Sequence, residues 1–190
     1  MKVAVLALQG AFAEHETMLQ RLGADTFQVR QLSDWQQHKD ALVIPGGEST
    51  TQLNLLEHLN LLVPIRNAIH DGLPVFGTCA GMILLARQED GKPRQGFGTM
   101  DIDVRRNAYG RQMGSFHTVQ AVNGIGDDIP MTFIRAPYAH GLLSSSAKVL
   151  SQVDGHIVAV RQDRQLATAF HPELTDDTRM HEFFLHMATS

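Results

Sequence analysis

Apolar residues in the first half of the chain come in short unbroken runs, each followed by a polar or glycine-rich stretch. Residues 3–8 form the first run, and Gln9-Gly10 ends it. A strand covered on both faces reads this way, because neither side meets water. A helix is expected over 14–22, stopped by Gly23, and a second strand over 27–32. Residues 41–44 give a third strand, which runs into Pro45-Gly46-Gly47-Glu48-Ser49-Thr50-Thr51. Leucines at 53, 56, 59 and 62 then predict a long helix from about 51 to 70, broken or kinked by Pro64. The run 73–78 is the next strand, and a helix-like apolar segment follows Cys79 at once. Strands alternating with helices predict an α/β fold with a doubly wound, mostly parallel sheet and flanking helices.

The second half changes period. Residues 99–104, 115–122, 131–134, 149–153, 156–161 and 167–170 are short and strand-like. Turn-forming pairs such as Asn123-Gly124 and Asp154-Gly155 separate several of them and predict additional antiparallel strands. An amphipathic helix over 180–187 closes the chain, with Thr175-Asp176-Asp177 as its N-cap chemistry. No repeat or linker interrupts the sequence, so residues 1–190 are expected to form a single domain.

Composition narrows the function classes. A net charge of -4 without an acidic tail gives no reason to expect nucleic acid or an anionic membrane as partner. No apolar run reaches the roughly 18 residues that a membrane helix needs, and the N-terminal run is too brief for a signal peptide. One cysteine excludes an internal disulfide and suits a reducing cytoplasm.

That cysteine is where chemistry is expected. Gly77-Thr78-Cys79-Ala80-Gly81 between a strand and a helix has the pattern of a nucleophile elbow with cysteine in place of serine. Gly77 and Gly81 allow a tight turn, and the helix end aims N–H groups and its positive dipole at the sulfur. The same residues also suit a small buried cysteine without reactivity. Among ten histidines, His171 stands out because Pro172-Glu173 follows it. In an extended segment, residues 171 and 173 point to one side, so the carboxylate would reach the ring and fix its tautomer. A surface His and Glu at a strand end fit the residues equally well. Gly46-Gly47 can present N–H groups to an oxyanion, or can simply precede a helix capped by Ser49 or Thr50. His181 and His186 lie five apart, not the spacing of two metal ligands on one helical face, and no metal site is expected.

Taken together, Cys79 in its glycine frame, the 45–50 loop and His171-Pro172-Glu173 resemble the class I, triad-type glutamine amidotransferases. More narrowly, the chain is similar to the glutaminase subunits of pyridoxal 5'-phosphate synthase. Further matches are Leu8-Gln9-Gly10, residues 106–112, Phe133-Ile134-Arg135-Ala136-Pro137 and residues 170–174. The resemblance implies hydrolysis of L-glutamine to glutamate and ammonia without a cofactor, the ammonia passing to a synthase subunit. It implies Cys79 as nucleophile, His171 as base then acid, and Glu173 as its orienter. Gly47 and Ala80 would be oxyanion donors, with Gln9 coupling partner docking to that hole. Gly47, Glu48, Ser49, Arg106, Ile134 and Arg135 would hold glutamine, an arginine fork suiting the α-carboxylate. One departure is Met113-Gly114-Ser115-Phe116-His117, where the family often carries acidic residues. The remaining histidines (15, 38, 58, 70, 117, 140, 156, 181, 186) are expected to be solvated or structural. Competing readings are the glutaminase of another pathway, such as imidazole glycerol phosphate synthase, a redox-sensing α/β protein, or a cysteine peptidase.

Overall fold

A computed structural model describes residues 1–106 and 114–190. The Asn107 to Gln112 part of the 106–112 match, and Met113 of the departure, lie outside the described residues. The first half alternates as expected: β1 (Lys2–Leu6), α1 (Phe12–Arg21), β2 (Asp25–Val29), a short α2 (Leu32–Trp35) and β3 (Ala41–Ile44). Then come α3 (Ser49–His58), α4 (Leu62–His70), β4 (Val75–Thr78) and α5 (Ala80–Leu85). Strands β1, β3 and β4 are buried at nearly every position, which accounts for their continuous apolar runs.

The long helix expected over 51–70 is two helices. Asn60 takes a left-handed turn at φ 55°, and the Leu61 N–H donates back to the Leu56 carbonyl at 2.8 Å, which ends α3. Pro64 therefore does not cause the break. It sits in the first turn of α4, where its missing N–H removes no helical bond. The cap of α3 is neither Ser49 nor Thr50 but Glu48, whose side chain accepts from the Thr50 and Thr51 N–H groups.

The second half supplies β5 (Ala86–Glu89), β6 (Lys92–Pro93), β7 (Met100–Arg105), β8 (Ser115–Val122), β9 (Gly126–Ile134) and β10 (Tyr138–Leu142). It closes with β11 (Ala147–Val153), β12 (His156–Gln162), β13 (Gln165–Thr168), a 3-10 turn at Pro172–Leu174 and α6 (Arg179–Thr189). Strands β5, β6 and β10 carry no apolar run long enough to be anticipated. Asp177 lies just before the cap of α6, yet its carboxylate still accepts the Arg179 N–H at 2.9 Å.

Among the described residues the main sheet runs β2-β1-β3-β4-β13-β12-β10-β7-β5-β6, with β11 on β12, while β8 and β9 form a separate hairpin. The β2-β1-β3-β4-β13 block is parallel. The order reverses beside β1, so a crevice opens beyond the carboxyl ends of β1 and β3. Strand β13 pairs with β4 in the register Thr168↔Thr78, and β3 pairs Ile44 with Gly77. Three loops thereby leave the sheet at one level: residues 45–48, Cys79, and 169–173. No helix among the described residues is long and apolar enough to cross a membrane.

Candidate active site

Cys79 caps α5 with φ 50° and ψ -102°, a strained conformation for a side-chain-bearing residue. The frame that holds it leaves no room for anything but glycine. A Cβ at Gly77 would lie 2.8 Å from the Gly81 carbonyl carbon, and one at Gly81 only 2.2 Å from the Ile44 carbonyl oxygen. Strand β3, strand β4 and helix α5 thus touch backbone to backbone. The Cys79 N–H donates to the Thr168 carbonyl at 2.8 Å, tying the elbow to β13.

His171 follows β13 by three residues. Its N–H donates to the Thr132 carbonyl of β9 at 2.8 Å. Phe170, fully buried, packs edge-on against Phe133, which stacks on Phe116 at 4.5 Å between centroids. Burying one such phenylalanine contributes about 2–3 kcal/mol, so the hairpin clamps this loop firmly. His171 Nδ1 lies 2.7 Å from Glu173 Oε1, with both side chains buried. The contact does not come from the extended geometry expected of the sequence. The 3-10 turn curls Glu173 back under the ring.

The other side of the imidazole meets the Cys79 thiol. Gly46 packs beneath both, since a Cβ there would stand 2.3 Å from His171 Cε1 and 3.3 Å from Cys79 Cβ. Burial pushes the His171 pKa down, but the hydrogen bonds and charges of Cys79 and Glu173 outweigh it and raise it to about 10. Glu173 is held below the usual carboxylate range: burial opposes ionisation, while His15 and His171 more than compensate.

The residues expected to hold glutamine line one cavity of about 550 Å³: Gly47, Glu48, Ser49, Arg106, Ile134 and Arg135, together with Gln9, Cys79 and His171. Glu173 stands behind His171, and Ala80 is buried at the start of α5. Gln9 Oε1 accepts the Glu48 N–H at 2.8 Å, so the loop after β1 is stitched to the loop after β3. The Thr50 N–H, with some opposition from burial and help from Thr51, holds the Glu48 carboxyl down to about 2. Arg106 sits at the rim, where its guanidinium grips Glu89 (2.5 and 3.1 Å) and donates to Thr50 Oγ1 at 3.1 Å. Glu89 also pairs with Arg94 at 3.2 Å. Arg135 is exposed and adopts φ 42°, its N–H donating to the Gly114 carbonyl.

Two of the histidines expected to be solvated or structural are buried behind this centre. His15 on α1 and His181 on α6 are both fully buried. His15 Nε2 lies 3.4 Å from Glu173 Oε2 and 3.1 Å from Thr78 Oγ1, and its Nδ1 lies 2.9 Å from His181 Nε2. The available signal is helical spacing. His15 shares the apolar face of Met18 and Leu19, and His181 that of Phe184.

A cysteine elbow at the carboxyl edge of a doubly wound sheet, backed by a buried His–Glu pair and a polar cavity, defines an α/β protein of the glutamine amidotransferase class. The chain belongs to the SNO glutamine amidotransferase family, which it matches over residues 5–190. It is 50% identical over 190 residues to the pyridoxal 5'-phosphate synthase subunit PdxT of Streptococcus pneumoniae (strain CGSP14), covering 98% of this chain and 97% of that protein. A crystal structure described as glutamine amidotransferase superposes with a TM-score of 0.91 at 42% identity, over 99% of each chain. PurLQS from Thermotoga maritima shares the fold, with a TM-score of 0.64 at 15% identity over 97% of each chain.

Proposed function

We propose that this chain is the glutaminase subunit of pyridoxal 5'-phosphate synthase, hydrolysing L-glutamine to L-glutamate and ammonia for a separate synthase subunit. The observation that carries the reading is the buried His171–Glu173 contact at 2.7 Å beside the strained Cys79, in a chain of this family. In this reading the whole chain, 1–190, is one glutaminase domain working in the cytoplasm without a cofactor.

With its pKa raised to about 10, His171 is a strong acceptor for the Cys79 proton. The sulfur attacks the side-chain amide carbon and the carbonyl π pair moves onto oxygen. Gly47 and Ala80 N–H groups receive that oxyanion. The oxyanion collapses, the C–N bond breaks, and His171 gives its proton to the departing ammonia, leaving a γ-glutamyl thioester on Cys79. Water then attacks the thioester while His171 takes a proton from it. Cleavage of the C–S bond releases glutamate and returns Cys79 and His171 to their starting state. Glu173 stabilises the imidazolium throughout. Glu48 and Ser49 face the amino-acid end of the substrate, and Arg106 or Arg135 its carboxylate.

A redox sensor would need only a reactive thiol. The oriented base behind Cys79 favours hydrolysis instead. The test is glutamate release from glutamine by this chain, alone and with an added pyridoxal 5'-phosphate synthase partner subunit. Activation by that partner is expected. Hydrolysis indifferent to it would move the chain to another pathway, and no hydrolysis in either case would overturn the glutaminase reading.

A further inference from the structure

The pair formed by His15 and His181 plays no part in the scheme above, yet it is entirely buried and ends on the catalytic carboxylate. Among the described residues, two buried atoms here have no hydrogen-bond partner: Glu173 Oε2 and His181 Nδ1. Proton placement decides what these vacancies mean. Burial holds both histidines below their ordinary pKa, so each ring is neutral and carries one N–H at neutral pH.

Two arrangements satisfy the 2.9 Å contact between the rings. If His15 donates from Nδ1, His181 must carry its proton on Nδ1, a buried N–H with nothing to receive it. His15 Nε2 would then turn a lone pair toward Glu173 Oε2. If instead His181 donates from Nε2, His15 carries its proton on Nε2, between Glu173 Oε2 and Thr78 Oγ1. That leaves a lone pair on His181 Nδ1 unmet and turns the Thr78 hydroxyl, which also accepts the Gly46 N–H, into an acceptor for His15. In a buried site an ionised carboxylate repels a ring lone pair 3.4 Å away and attracts an N–H there. The second arrangement prevails.

We propose that His15, held in its Nε2–H tautomer by His181, is a positioning residue that turns a ring N–H toward Glu173 Oε2 at 3.4 Å and so favours the ionised carboxylate whose opposite oxygen meets His171. This rests on the glutaminase reading for its consequence, though not for its geometry. The ring N–H groups point in one direction, from α6 through α1 toward the carboxylate, and no additional charge is buried. The titratable groups facing His15 are Glu173 and His171 from the 3-10 turn, His181 from α6, and Glu14 beside it on α1.

The test uses the full chain with its synthase partner. His15→Phe keeps a ring but lacks the N–H; it should lower kcat on the order of tenfold, the loss of one polar contact facing a buried charge, while KM stays near wild type. Without the donor Glu173 holds its proton more tightly, so the acid limb of kcat/KM moves to higher pH. His15→Gln, which returns an N–H at the same reach, should recover most of both. A folded His15→Phe variant with wild-type kcat and acid limb overturns the proposal. If that variant does not fold, ¹H–¹⁵N correlation spectra of the wild-type histidines decide: a neutral His15 protonated on Nε2 supports it, and one protonated on Nδ1 sinks it. Failure of the glutaminase reading would look different, as a wild-type chain that releases no glutamate with its partner while the tautomer spectrum is unchanged.

Discussion

The floor and the rim of the cavity use the same kinds of groups in opposite settings. On the floor, the Glu173 side chain is fully buried and the His171 side chain 8% exposed. At the rim, the Arg106 and Glu48 side chains are 34% and 53% exposed, and their nitrogen and oxygen stand 4.0 Å apart. Water screens the rim and leaves each ion pair worth little. The floor has no such screening, so each unmatched proton or lone pair there is costly. In the proposed glutaminase the floor would carry the chemistry and the rim would grip a zwitterion that must also leave.

The comparison breaks most visibly at Cys79. Cys79→Ala should reduce glutamine hydrolysis on the order of 10⁴-fold or more, because members of such a unit fail together; retained turnover in a glutamate-release assay would remove the mechanism. Arg106→Ala should act differently, raising KM on the order of tenfold to a hundredfold with little change in kcat. Initial rates over a range of glutamine concentrations would show this, and an equal loss in kcat would make Arg106 part of the floor.

The smallest effect sharpens the contrast through pH. The pKa of His171 is raised from 6.5 to about 10, so its stabilisation is complete below about 6.5 and is lost as pH rises toward 10. Glu48 is lowered from 4.5 to about 2, so its contribution is present above about 4.5 and lost as pH falls toward 2. Exposure limits that second contribution to a cap's ~0.5 kcal/mol. Thermal melts across pH should show His171→Ala flattening the alkaline slope, and Glu48→Gln the shallower acid one. Reversed assignments would refute the division.

Much of this was legible in the chain because runs and turns act locally. The three strands that feed the crevice are unbroken apolar runs, and Gly77 and Gly81 announce an elbow that only glycine can build. The His171–Glu173 pairing was legible too, although for the wrong local reason: a 3-10 turn, not an extended strand, brings the carboxylate to the ring. Other features depend on distant partners. Asn60, not Pro64, divides the helices, because the left-handed turn is completed by bonds back into α3. His15 and His181 are 166 positions apart, and no local pattern joins them. Likewise β5 and β6 carry Arg87, Glu89 and Lys92, polar residues that suit the far edge of the sheet.

The contact between α1 and α6 has a consequence for how the protein is made. Ribosomes deliver the chain from its first residue to its last, so α1, the elbow and even His171 emerge before His181 can reach its partner. A polypeptide that stops before α6 cannot close the histidine pair behind Glu173. With the proposed positioning role of His15, the support behind Glu173 is finished only once α6 has been made.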